Sequence, residues 1–109
     1  MKNQKTKKLK EDQKLATSVL KKYKIYRFKI IQLENQIKYI DEEQKDLLDK
    51  YKSYVNMIDC ILDELKPDSK RIIKDKFLKY ITINECGYSK GTYYSKLREA
   101  LNDFLDYYK

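Results

Sequence analysis

Apolar side chains recur at Val19, Tyr23, Tyr26, Ile30, Leu33, Ile37 and Ile40, alternately four and three residues apart. That spacing holds them on one stripe and predicts a helix whose seam packs on another helix. Leu15 extends the stripe upstream, whereas Met1–Lys10 is a lysine-rich polar run expected to fray. At Asp41-Glu42-Glu43-Gln44 the apolar pattern pauses. Asp41 with Gln44 three residues later has the form of a capping box and predicts a fresh helix start. The next stripe is Leu47, Tyr51, Tyr54, Ile58, Ile61 and Leu65, widened by Leu48, Val55 and Leu62 into a face able to meet more than one neighbour.

Two arrangements satisfy this pattern. Gln44 keeps the register of Ile40 and Leu47 with no Gly or Pro between, so one helix of about sixty residues, roughly 90 Å long, is open to the chain. Such a helix has to dimerise. A tight turn near Asp41 instead gives an antiparallel hairpin, which sets a basic helix beside an acidic one and pairs opposite charges across their flanks. Lys66-Pro67-Asp68 then punctuates the sequence, because Pro disfavours a helical residue before it and suits the first turn after it. Residues 1–65 therefore read as a helical dimerisation or partner-binding region and residues 66–109 as a second region. Within the latter, Ile72, Ile73, Lys76, Phe77 and Tyr80 predict a third helix, with Ile73, Phe77 and Tyr80 as its apolar face.

The segment Thr82–Leu101 completes an all-α reading: a long helical hairpin or coiled coil followed by a C-terminal helix-turn-helix. Thr82 with Glu85 can cap a very short helix, Gly87 supplies the positive φ of a sharp turn, and Ser89 is a good N-cap for the next helix. In that last helix Tyr93, Leu97, Ala100, Leu101 and Phe104 share one face. Lys90, Thr92, Ser95 and Lys96 gather toward the start of the other. A recognition helix is divided in this way, since its N-terminal end enters the major groove, where Lys reaches guanine acceptors or phosphates and Thr or Ser bonds bases or backbone. Gly91 permits close approach to a phosphate. Tyr94, next to a buried Tyr93, is expected to face outward beside them.

Charge sharpens this expectation. The formal net charge is +8, and its distribution is uneven. Residues 1–30 carry eleven Lys/Arg against two acids, residues 31–69 five against ten, and residues 70–101 eight against three. Two basic ends thus flank an acidic middle, a pattern suited to a polyanionic partner. The lysine-rich start is at most an accessory arm making phosphate contacts without sequence preference. Eleven Tyr, three Phe and no His remove the commonest general base and metal ligand. No glycine-rich phosphate loop or nucleophile–base pair appears, so no catalytic residue, metal ligand or cofactor is expected. Asp41, Glu42, Glu43, Asp46 and Asp49 read as a solvated helix start. Cys60 and Cys86 read as small, buried, reduced residues. With no apolar run near the length of a membrane span, a cytoplasmic location is expected. Tyr23, Tyr26, Ile30, Leu33, Ile37, Ile40, Leu47 and Tyr51 form the packing or dimerisation seam.

Leu65–Leu101 resembles the fourth-region helix-turn-helix of bacterial sigma factors and of phage late-gene regulators of the ArpU and RinA type. The string Ser89-Lys90-Gly91-Thr92-Tyr93-Tyr94-Ser95-Lys96-Leu97 is similar to the recognition helix of that family, and Leu62, Leu65, Arg71, Ile72 and Phe77 are similar to its preceding helix. The likeness implies a DNA-binding transcription regulator of a bacterial host cell, with double-stranded DNA and RNA polymerase as partners; a second copy is expected because one short recognition helix gives few base contacts. Lys90, Gly91, Thr92, Tyr94, Ser95 and Lys96 would face the DNA. The chain departs from the family in two places. Only Ile81–Cys86 stand where relatives have about a dozen residues, and Tyr93 replaces a smaller aliphatic. An alternative expectation is an interaction protein that binds RNA polymerase or a phage activator without reading DNA.

Overall fold

In the computed structural model the backbone is described over residues 2–36 and 41–109, and side chains over 7–35 and 41–109. Among the described residues four helices follow in order: α1 (Lys2–Gln36), α2 (Glu42–Glu64), α3 (Pro67–Ile73) and α4 (Lys90–Tyr108). A π turn, Lys74–Leu78, prolongs α3, and a single 3-10 turn, Ile83–Glu85, precedes α4. No strand occurs among the described residues. The all-α expectation holds, and α1 with α2 forms the hairpin rather than the single long helix. Its dimensions, 55 × 27 × 21 Å, fit that compaction.

Local chemistry sets several of these ends. Asp41 caps α2: its side chain accepts the Gln44 N–H at 2.8 Å, while the Gln44 side chain accepts the Asp41 N–H. Pro67 opens α3 at its first turn, where a missing N–H costs nothing. The lysine-rich start belongs to α1 from Lys2. Its lysines, glutamine and leucine are good helix formers. Leu9 packs against the core and the Lys8 ammonium donates to the Asn102 side chain at 3.3 Å, tying this end to α4.

One core joins all four helices and runs across residue 66. Ala16, Val19, Leu20 and Tyr23 meet Ile58, Leu62, Ile72, Ile73 and Phe77, with Leu97, Leu101 and Phe104 between them. Leu65 at the α2–α3 break is itself buried. The hairpin seam carries Val19 and Tyr23 buried and Tyr26, Ile30, Leu33 and Tyr51 partly buried. Ile37 and Ile40 lie outside the described residues.

Five details depart from the sequence pattern. Leu47 is 40% exposed and its neighbour Leu48 takes the buried position, since the two lie about 100° apart around the helix and only one can face inward. Tyr80 is 69% exposed instead of completing the apolar face of α3. The π turn advances the register, and the chain then reverses at Tyr80 with φ 57°. Cys60 is exposed, and Cys86 is half-buried with its thiol donating to the Ile83 carbonyl at 2.9 Å. Ser69 is buried despite its polarity and donates to the Asp103 carboxylate at 3.2 Å, pinning α3 to α4.

The fifth departure concerns charge. Between α1 and α2 the only ion pair among the described residues is Lys52–Glu34 at 2.9 Å, whose signs are opposite to the overall bias of the two helices. Four cations of α1, Lys22, Lys24, Arg27 and Lys29, lie over tyrosine rings instead. Lys22 is 4.6 Å from the centre of Tyr54 and 5.3 Å from Tyr26, and Arg27 is 5.5 Å from Tyr23. Ring faces attract these cations without cancelling their charge, so the positive field of α1 persists.

Candidate nucleic-acid interface

The interface is built on the start of α4. Gly87 adopts φ 84°, which turns the chain sharply after the 3-10 turn. Ser89 then caps α4: its hydroxyl accepts the Thr92 N–H and lies 2.9 Å from the Thr92 hydroxyl. Before the turn, Thr82 and Glu85 form a capping box around Ile83–Glu85. The expected short helix is thus a single turn of three residues. Its caps, Thr82 and Cys86, confine it between the reversal at Tyr80 and the turn at Gly87.

Below, α4 is anchored by Tyr93, Leu97, Ala100, Leu101, Phe104 and Leu105, all buried, and its main partner is α3. Tyr93 fits as a core residue at 4% exposure. Burial, reinforced by neighbouring Cys86, Tyr94 and Asp75, pushes its phenol up from the usual value and keeps it protonated. Above, Lys90, Gly91, Thr92 and Ser95 are exposed at the start of the helix. No acidic residue occupies the first turn, so the positive end of the helix dipole is not offset there.

The two remaining expected residues are placed differently. Tyr94 is half-buried, edge-on to Tyr93 at 5.6 Å, because the core draws in both rings at this end. Lys96 is half-buried with its ammonium 3.5 Å from Asp68 and 5.5 Å from the Tyr88 ring. Close by, Lys66 pairs with Glu99 at 3.5 Å. The flank of α4 toward the start of α3 is therefore charge-compensated. Such exposed pairs contribute little to stability, yet they place carboxylates where a phosphate would have to approach.

On the opposite flank lies a groove of about 690 Å³, lined among others by Lys76, Tyr80, Thr82, Asn84, Lys90 and Tyr94. Lys76 of the π turn is not among the residues the sequence places at the site. Its only sequence signal was a basic position beside the apolar face of the third helix. Among the described residues no three His, Cys, Asp or Glu gather to hold a metal, and no buried side-chain polar atom lacks a partner. No helix is long and apolar enough to cross a membrane.

What this arrangement offers chemically is recognition: donors, hydroxyls and cations on a rigid helix start. No family matches the chain, and neither does any curated protein or solved structure.

Proposed function

We propose that this protein is a DNA-binding transcription regulator, sigma-region-4-like, that places the start of α4 in the major groove of promoter-like DNA of phage or mobile-element genes. The observation that carries this reading is the exposed cluster Lys90, Gly91, Thr92 and Ser95 on a capped helix start without acids, held from beneath by a dry apolar face. Lys90 supplies charge for phosphate or guanine, Thr92 and Ser95 supply hydroxyls for base edges or backbone, and Gly91 lets the DNA backbone approach.

One helix start makes few base contacts, so the reading includes two copies on two half-sites, where the second engagement is intramolecular. The seam is occupied within the hairpin. Pairing therefore falls to apolar side chains outside it, and Ile25, Phe28 and Ile31 are exposed on α1.

A second reading has its own observation. The three-residue turn before α4 leaves no helix to cross the DNA backbone, which favours a protein that binds RNA polymerase or an activator and reads no DNA. Selection of bound duplex fragments by the purified protein at two salt concentrations separates the two. A recurring site, weakened when Thr92→Ala and Ser95→Ala are combined, is the expected result. Binding that is weak and indifferent to sequence excludes the DNA-reading regulator and leaves the polymerase-binding alternative.

A further inference from the structure

The flank of α4 that carries Lys90 does not end at the 690 Å³ groove. Lys76 and Tyr80 also line a second groove of about 420 Å³, completed by Gln13, Thr17 and Lys21 of α1 and by Phe77. The two grooves share Lys76 and Tyr80 as walls, so they adjoin as a trough that runs from the middle of α1 to the start of α4. No carboxylate lines either of them.

Six ion pairs occur among the described residues, and none involves Lys21, Lys76 or Lys90. The acids nearest Lys76 and Lys90 in sequence are engaged elsewhere. Asp75 is held between Arg71 at 3.7 Å and Lys79 at 3.8 Å, and Glu85 is bonded to Thr82. Lys24 stays at the rim, donating to the Tyr80 hydroxyl at 3.1 Å with its ammonium 4.1 Å from that ring. Three unpaired cations, hydroxyls and side-chain amides along a furrow without acids complement a chain of phosphates.

We infer that this trough grips the sugar–phosphate backbone of duplex DNA, with Lys21 of α1 and Lys76 of the π turn extending the contact made by Lys90. The inference rests on the DNA-binding reading above and adds a second helix to the contact surface. In that arrangement α1 takes over the backbone-crossing part left vacant by the shortened turn before α4.

Its test uses the full chain, the duplex selected by the unaltered protein, and a random-sequence duplex of equal length. Binding is measured over a salt series for the unaltered protein, for Lys21→Glu, and for Lys21→Ala combined with Lys76→Ala. Lys21 is exposed, so Lys21→Glu leaves the fold intact even if loss of Lys76 disturbs Phe77. The expected result is a several-fold loss on both duplexes alike, with site preference kept and the salt slope reduced by about 0.9 for each contact removed. An unchanged slope in both variants, with the selected site still bound by the unaltered protein, overturns the trough and leaves the α4 reading standing. Loss of site preference in Lys21→Glu, or stronger binding of single-stranded RNA than of duplex, also overturns it. Failure of the unaltered protein to bind any duplex at low salt overturns both readings together.

Discussion

Tyr80 occupies a backbone conformation that suits glycine. Its φ of 57° lies at the C-terminal reversal of the α3–π segment, where the Ile81 N–H reaches back to the Asp75 carbonyl at 2.8 Å. A left-handed L-residue carries a steric cost of about 1–2 kcal/mol. With its ring mostly exposed, Tyr80 recovers part of this only through Lys24. Tyr80→Ala keeps the strain and loses that contact, whereas Tyr80→Gly loses the contact and the strain. The glycine variant is expected to be more stable than the alanine variant by about 1 kcal/mol in denaturant titration; an alanine variant that is equal or better excludes the strain. Periodicity alone put Tyr80 on the buried face. It cannot register a π turn, because that extra residue is accommodated by packing against α1. Ser69 is illegible for the same reason: its partner Asp103 lies thirty-four positions away.

At the level of elements, the ends of helices were the most readable features. The boxes at Asp41 and Thr82, the cap at Ser89 and the turn at Gly87 depend on residues within three or four positions, and all four are present. The lining of the hairpin was less readable, since the choice of Leu48 over Leu47 and of ring faces over carboxylates is settled by the opposing helix. Those rings make the hairpin sensitive to alkali. Tyr23 and Tyr54 are both pushed up to about 12 from an ordinary value of 10.0. Burial is the main cause in each. Tyr23 also donates to Asp59, and Tyr54 lies near Tyr108 and donates to the Val19 carbonyl at 3.0 Å. A pKa raised on folding contributes stability that is complete below the unfolded value and is lost as pH rises through the folded one. The contribution of these phenols is therefore expected to hold to about pH 10 and disappear by about pH 12, with tyrosinate absorbance appearing as the helices melt. Combining Tyr23→Phe with Tyr54→Phe should flatten the alkaline limb; an unchanged limb would show that other groups control it.

For the whole molecule, the question is how far residue 66 divides it. The break in the helices is legible from Pro67, but the continuity of the core is not. The second face of α2, through Ile61, Leu62 and Leu65, serves the same cluster as α3 and α4, while Ala16 and Leu20 reach it from α1. A stripe shows that a face is apolar and says nothing of which helix will cover it. Residues 66–109 expressed alone are expected to show little helical circular dichroism and no cooperative melt, because their buried surface faces α1 and α2; a sharp melt of that fragment would refute the shared core. The candidate site was partly legible. The start of α4 was marked by its own residues, whereas Lys21 joins it only through folding. A core assembled from the first and last helices also has a consequence in time. During synthesis α1 leaves the ribosome first and must wait for α4, a delay of several seconds at ordinary elongation rates. Throughout that interval the nascent chain presents a cationic helix whose Ala16 and Leu20 face is only partly covered by α2, so slow translation of the last helix prolongs its exposure to aggregation.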